Sequence, residues 1–418
     1  MPAYLGGLVG GDKFRPMHMR WLSYDPLNNA FDLAVEPGDD ARIKDADIKK
    51  STTKIMEYFQ IGLRLPDSMF WVNLRPDAPD QIIDPYLGRT DIGKIMLEAD
   101  LQLKKDLARF TSPDTKAGRE YWNKLYARAE QVFGPSDITI PTVTRPWIVP
   151  NEIIIKEYKD GAYVFKATMK VMLEQDHLKD AAGYSFDDPR VKEINEYSSE
   201  LVRQLIIPQL TREVNSSKRY AGLRQVFYSL VLSQWFKQRY ANQHAAEAQE
   251  GTASNVLLQS IDSRDLSGLT SATAWSKESY FNRYVQSFQK GEYNKQETVN
   301  GPSGMTVRQY FSGGILFKLQ QGVDAIGRNA PLMTILPAAE ASPSPAMLRA
   351  TVIGDRATVL GDPQQYKLDF LGAKLNISVL PKQDLQQASV AFAQPEAQGV
   401  GRDGGITSFI EKHTSAIS

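Results

Sequence analysis

The sequence predicts an α+β fold, with helices packed on a mostly antiparallel sheet and a small C-terminal β unit. Three observations carry this. Apolar residues recur at helical spacing in several stretches between 48 and 290. Residues 152–173, EIIIKEYKDGAYVFKATMKVML, read as a hairpin. Past about residue 330 the character changes to a Pro/Ala/Ser-rich stretch followed by short apolar runs with Gly-Asp turns. Period 3.6 marks a helix with one buried side, and period 2 marks a half-buried strand.

The elements follow in chain order. Residues 1–20 look irregular and form a flexible lead-in; the apolar, glycine-rich opening lacks the basic start of a signal peptide and also reads as the cut edge of a longer chain. A main domain is expected over 21–330. Within it, Ile48, Ile55, Phe59 and Leu63 share a helical face that Pro66 ends, and SMFWVNLRPD reads as a short buried strand. Over 90–110, TDIGKIMLEADLQLKKDLARF, Thr90 is the expected N-cap. At 100° per residue, Ile92, Ile95, Met96, Ala99, Leu103, Leu107 and Phe110 form one broad stripe, and Leu97, Leu101 and Ala108 a narrower one nearly opposite. Two apolar stripes imply a helix covered on two sides.

A second helix, REYWNKLYARAEQVFG, buries Trp122, Leu125, Ala129 and Val132 and stops at Gly134. ITIPTVTRPWIVP is extended and leads into the hairpin, whose turn is Lys159-Asp160-Gly161. In its second strand Tyr163, Phe165, Ala167, Met169 and Val171 alternate with Val164, Lys166, Thr168 and Lys170. Residues 191–214 return to helix, and Pro208 inside them should kink or break it. RYAGLRQVFYSLVLSQWFKQRY is amphipathic, with Leu223, Val226, Phe227, Leu230, Val231 and Trp235 on one side. NQHAAEAQEGTASN reads as a polar loop, ATAWSKESYFNRYVQSFQKG as a helix ended by Gly291, and NGPSGMTVRQYFSGGI as glycine-rich loop. A linker over 331–350, a β unit over 351–381 and a mobile tail over 382–418 complete the division. Met-Leu-Glu-x-Asp occurs at 96–100 and again at 172–176, but the flanks differ and the echo is read as coincidence.

Composition narrows the chemistry. The 418 residues include no cysteine, which removes disulfides, zinc–thiolate sites, iron–sulfur clusters and thiol nucleophiles. Lys+Arg and Asp+Glu both number 49. That balance gives no overall attraction to nucleic acid, and it favours self-association or a protein partner because little net repulsion keeps copies apart. No apolar run reaches the roughly 18 residues of a membrane span. A thiol-free chain is indifferent to redox state, so an extracytoplasmic location is favoured over a cytoplasmic one.

The four histidines, His18, His177, His244 and His413, are too scattered for a multi-histidine metal site; His244 falls in the expected polar loop and His413 in the tail. A Ser/His/Asp triad would have to recruit His18 or His177, and neither a G-x-S-x-G elbow nor a phosphate-binding G-x-x-x-x-G-K-[ST] loop is present. GVGRDG at 399–404 matches a dinucleotide fingerprint only in letters, since it lies in the tail without a strand and helix around it. No cofactor is implied.

Two carboxylate groups remain. Glu98 and Asp100, two steps apart on a helix, point about 200° away from each other and cannot converge on one atom. Lys94, Glu98, Gln102, Lys105 and Arg109 line a polar face, while Asp100 and Lys104 sit between the apolar stripes at i,i+4. A carboxylate there needs a partner. The leading reading is a structural ion pair for Asp100, to Lys104 or an arginine, and the alternative is a site residue. Glu174 and Asp176 follow a strand, where i and i+2 share a side, and His177 lies beside them. This trio is the best local acid/base or metal candidate; its plainer reading is a polar turn opening a helix. Tyr121, Trp122, Trp147, Tyr220, Trp235, Trp275, Tyr280 and Tyr284 read as core, with a peptide- or sugar-binding groove as the alternative.

Three stretches together carry a resemblance: TDIGKIMLEADLQLKKDL, RPWIVPNEIIIKE with AYVFKATMKVMLE, and YSSELVRQLIIPQLTREVNSSKRYAGLRQVFYSLVLSQWFK. Their order resembles a broad set of hypothetical bacterial proteins that join a T-x-x-G-x-x-h-x-E-A-D-x-x-x-K helix to a Trp-centred β segment and a long amphipathic helix. The first motif falls on Thr90, Gly93, Glu98, Ala99, Asp100 and Lys104. The resemblance spans about 70–240 and implies no catalytic residue. It implies a module of a larger exported protein and adds interest to Asp100 and Lys104. The expectation is therefore a non-catalytic structural or interaction module, with a carboxylate-based, metal-assisted hydrolase as the alternative.

Overall fold

A computed structural model describes residues 14–39 apart from 26, 45–65, 83, 85–134, 139–141, 146–158, 161–173, 175–176, 189–250, 294–301, 304–311, 350–352, 364–370 and 373–379, with scattered positions between 266 and 292. The fold is α+β, with helices packed on a mostly antiparallel sheet. Its centre is four antiparallel strands in the order β4 (Pro146–Glu157), β5 (Gly161–Leu173), β1 (His18–Asp25) and β2 (Ala30–Glu36). The C-terminal strands extend this sheet at both ends. β8 (Ala350–Val352) pairs parallel to β4, and the hairpin of β9 (Gln364–Phe370) and β10 (Ala373–Val379) joins through β10 lying parallel to β2.

The β1–β2 hairpin has a local cause. Asp25 accepts from the Leu27 and Asn28 backbone N–H groups, an Asx turn, and Asn29 takes the left-handed conformation at φ 44°. Leu22 and Tyr24 then face Leu33 and Phe31 across the pair, all four buried. Of the lead-in expected over 1–20, residues 14–20 are described, and they are held in place. The strand starts at His18, and Phe14–Met17 is tied down: Phe14 N–H donates to Ser216 O, Arg224 to Phe14 O and Gln225 to Met17 O. The alternation expected along β5 also shifts phase. Ala162 and Val164 are buried at one end and Met169, Val171 and Leu173 at the other, because β5 carries an extra residue, Phe165, where Ile154 pairs with Lys166 and Ile155 with Val164; a compensating extra residue in β4 lies between Pro150 and Ile153.

β1 pairs with β5 only at residues 161–163, which leaves the rest of that strand edge to be covered by side chains. Arg20 donates to Val164 O and Phe165 O. Asn215 accepts from Met169 N–H and donates to Met169 O, and Thr211 Oγ1 accepts from Val171 N–H.

α1 (Asp45–Arg64) and α7 (Ala221–Glu250) pack against each other and onto the sheet. They approach closely where Ser233 donates to Phe59 O, and Lys237 closes the end of α1 by donating to Leu65 O at 2.7 Å. Phe59 and Phe236 meet Phe31 and Tyr24 of the sheet in an edge-to-face cluster. α7 was expected to have one apolar side. Instead every side chain from Ser229 to Lys237 is buried, polar ones included, so α7 is the central helix of the body. It also runs to Glu250 and thus contains His244, where a polar loop was expected; an Ala/Glu/Gln-rich stretch is a good helix former.

α2 (Pro85–Gly88) is a single turn leading into α3 (Asp91–Phe110), and α4 (Lys116–Phe133) follows. α3 and α4 begin with the same device. Thr90 Oγ1 accepts from Gly93 N–H and donates to Leu87 O; Thr115 Oγ1 accepts from Gly118 N–H and donates to Ser112 O. Each threonine thus caps an orphan N–H of its helix and fastens the preceding turn. The glycine is required because that turn's carbonyl crosses above it. Gly134, at φ 82°, ends α4 as expected.

The Pro208 break takes a defined form. α5 (Pro189–Leu201) passes into a π-helical turn, Val202–Ile206, before α6 (Ile207–Ser216) starts with proline near its N-terminus. The wider turn absorbs the hydrogen bond that proline cannot make. A second, three-stranded sheet contains β3 (Thr139–Pro141), β7 (Gly304–Phe311) and β6 (Asn294–Gly301). β6 and β7 pair antiparallel with Gly301 opposite Gly304, so 300–301 and 304–311 are strand where the sequence reads as glycine-rich loop. The Thr-Val-Arg-Gln-Tyr-Phe run has strand-forming residue types that outweigh the flanking glycines. Within the helix expected over 272–291, Ser279, Tyr280, Asn282, Arg283, Gln286 and Ser287 are helical and Lys290 is in a turn. The strand expected over 68–77, most of the 331–350 linker and the tail lie outside the described residues.

A Cβ at Gly93 would stand 2.2 Å from Leu87 O, and one at Gly118 1.9 Å from Ser112 O. Gly93→Ala and Gly118→Ala should each destabilise the fold by about 1–3 kcal/mol, despite alanine's better helix propensity, as measured by urea unfolding.

Candidate functional site

α3 places its acids as angular spacing requires. Glu98 is exposed and Asp100 is 7% exposed, so the two do not converge. Asp100 ion-pairs with Lys104 one turn on, and Tyr280 O–H donates to the same carboxylate oxygen. Lys104 is 2% exposed and Tyr280 fully buried. The structural pairing of Asp100 is what the fold contains, with Tyr280 as a partner from far along the chain.

A second cluster was not anticipated. Asp106, 1% exposed, accepts from Arg219 at 2.7 Å, Tyr220 at 2.9 Å and Gln102 at 3.2 Å, and lies 3.4 Å from Arg109. Arg219 also donates to Glu213 at 2.6 Å. Burial pushes the Asp106 carboxyl above its ordinary range and these donors pull it only part of the way back. Burial and the Asp106 charge push the Tyr220 hydroxyl well above its own. The sequence held one signal for this cluster: Asp106 lies seven residues after Ala99 and three after Leu103, in the middle of the broad apolar stripe.

A third cluster joins β1, β2, β5 and α7. Glu36, 1% exposed, accepts from Arg20 at 2.8 Å and Arg15 at 3.1 Å, and its Oε2 lies 3.2 Å from His18 Nε2. Arg20 lies 5.2 Å from the centre of the Tyr228 ring. Burial alone pushes the Glu36 carboxyl up, but at the low pH where it titrates the protonated His18 ring and Arg20 more than offset it and hold it at about 2. Arg224 packs nearby, held by the Val214 and Phe14 carbonyls rather than by an acid, and burial brings it down to about 10.

Of the trio expected after β5, Asp176 is described and its carboxylate is gripped by Arg203 at 2.7 and 2.9 Å. Glu174 and His177 lie outside the described residues. Among the described residues no group of three or more His, Asp or Glu side chains is arranged to hold a metal ion. Tyr121, Trp122, Tyr220, Trp235 and Tyr280 are buried core residues, not a groove lining. No helix among the described residues is long and apolar enough to cross a membrane. No family model, curated protein or solved structure matches the chain.

The arrangement is chemically inert in one respect. Where described carboxylates approach a common point, a guanidinium sits there in place of a substrate atom: Arg219 between Asp106 and Glu213, Arg15 between Glu36 and Asp39, and Arg203 between Asp176 and Glu200. Lys104→Met leaves Asp100 buried without its cation and should cost about 3–5 kcal/mol, whereas Asp100→Leu with Lys104→Met should recover most of that loss in a double-mutant cycle. Glu36 ionises more readily folded, at about 2, than its ordinary 4.5. Its contribution is fully present above about pH 4.5 and is lost as pH falls towards 2, so the acid limb of a stability–pH curve should carry up to about 3 kcal/mol that Glu36→Gln removes.

Proposed function

We propose that this chain is a non-catalytic structural or interaction module of a larger, exported bacterial protein. The observation that carries this reading is the neutralisation of Glu36, Asp100, Asp106 and Glu213, each held against a lysine or arginine inside the fold. A general acid or base needs a free face towards its substrate, and these carboxylates spend theirs on cross-links between helices and strands. Zero net charge supports association with a protein partner or a second copy rather than with nucleic acid. The likeness of three stretches to hypothetical bacterial proteins supports the modular, exported setting.

The alternative, a carboxylate-based hydrolase, rests on Glu174, Asp176 and His177, or on Asp100 with a distant partner. Arg203 already occupies Asp176, which weakens that reading. The purified chain should hold no stoichiometric divalent metal by elemental analysis and turn over no ester, phosphoester, glycoside or peptide substrate. Light scattering should show a mass that rises with concentration. Bound metal together with hydrolysis that Asp176→Asn abolishes would overturn the reading in favour of the hydrolase.

A further inference from the structure

His18 opens β1 in the interior, 4% exposed, with its ring 4.2 Å from that of Tyr228 on α7. Its Nδ1 lies 2.7 Å from Pro16 O, and a carbonyl only accepts, so Nδ1 carries the hydrogen. Nε2 is then the bare nitrogen. It lies 3.2 Å from Glu36 Oε2 but out of line for a hydrogen bond, and it has no other partner. A buried acceptor nitrogen facing a carboxylate oxygen is one proton short of a bond. With Nδ1 anchored on Pro16, that proton would meet Glu36 squarely only if the ring turned.

The groups around the ring set the consequence. Arg20 on β1, Arg15 before it, Glu36 on β2, Tyr163 on β5, and Tyr228 and Arg224 on α7 face the cluster, with Asp39 behind Arg15. Arg15 grips Asp39 through Nε and Nη2, and Arg15 N–H donates to Asp39 as well. Glu36 is therefore the shared anchor for Arg15 and Arg20, with the bare His18 nitrogen beside it. The segment Phe14–Met17 hangs from this anchor at one end and from α6 and α7 at the other, through Ser216, Arg224 and Gln225.

We propose that His18 is a proton-operated latch on the segment Phe14–Met17, closed when the imidazole is neutral and opened when Nε2 takes a proton. The added proton makes a third buried cation beside Arg15 and Arg20 on a single carboxylate. Turning the ring to reach Glu36 gives up the Pro16 carbonyl and crowds the oxygen that Arg20 already uses. The segment that joins the start of the sheet to α6 and α7 loses its fastening at that point, while the rest of the core keeps its contacts. Burial lowers the His18 basicity, so the neutral, closed form holds at neutral pH and the latch opens on acidification.

Amide hydrogen exchange on the whole chain, corrected for the intrinsic pH dependence of exchange, tests this. Between about pH 7.5 and pH 5.5 the Phe14 and Asp39 amides, which donate to Ser216 O and Arg15 O, should lose protection about tenfold, while core amides of β4 and β5 hold theirs. His18→Gln, which can keep a donor towards Pro16 but does not titrate, should remove that pH dependence. Unchanged protection in the natural chain, or the same loss in His18→Gln, would overturn the proposal. Should His18→Gln fail to fold, the natural chain still decides: the His18 imidazole signal must titrate together with the loss of Phe14 protection, and a separation of the two events sinks the latch.

Discussion

A buried charge must be matched, and in this fold the matching groups come from distant parts of the chain. Asp106 on α3 meets Arg219 and Tyr220 where α6 passes into α7, and Asp100 meets Tyr280. Glu36 gathers Arg15, His18 and Arg20 at the entry to the sheet. Removing one partner strands the other in a medium that solvates it poorly, so these clusters permit few alternative arrangements of helix on sheet. Hydrophobic burial supplies the bulk of the stability, and the charges select which packing is compatible with it.

The same constraint explains why α3 and α7 contain charges yet are covered on most sides. Both apolar stripes of α3 find cover. α7 buries Arg224, Ser229, Ser233, Gln234 and Lys237 along with its apolar residues. Several of these donors point at backbone carbonyls of other segments: Phe14, Phe59, Leu65 and Val214. A central helix that donates to its neighbours' carbonyls ties strand and helix ends that would otherwise be left with unpaired oxygens.

Much of this was legible in the sequence, and the rest was hidden for identifiable reasons. Thr90, Gly134 and Pro208 act where their residue types predict, because capping, chain reversal and the missing proline N–H are local effects. The Asp100–Lys104 pair was readable from i,i+4 spacing, but Tyr280 was not, since nothing local links residues 180 apart. Asp106 was readable in principle as a charge inside an apolar stripe. The β1–β2 hairpin carried a signal too, Asp25 and Asn29 around an alternating Phe31, Leu33 and Val35. The β6–β7 hairpin was obscured by its glycines, and the pairing of the C-terminal strands with β2 and β4 depends on contacts that no local pattern encodes. In the sequence His18 stands out as one of four histidines and as a candidate for a Ser/His/Asp triad; its unmatched nitrogen is a property of the assembled site.

The closure of β5 by Asn215, Thr211 and Arg20 bears on how copies of this protein can meet. Exposed strand margins are the usual template for intermolecular pairing. Along β5 the Met169 N–H and carbonyl and the Val171 N–H are already taken by amide and hydroxyl groups from α6, so an incoming chain would find these donors and this acceptor occupied. Growth by strand addition is thereby steered outward, to terminal strands such as β8 and β9 of the large sheet and β6 of the small one, and away from the interior that holds the charged clusters.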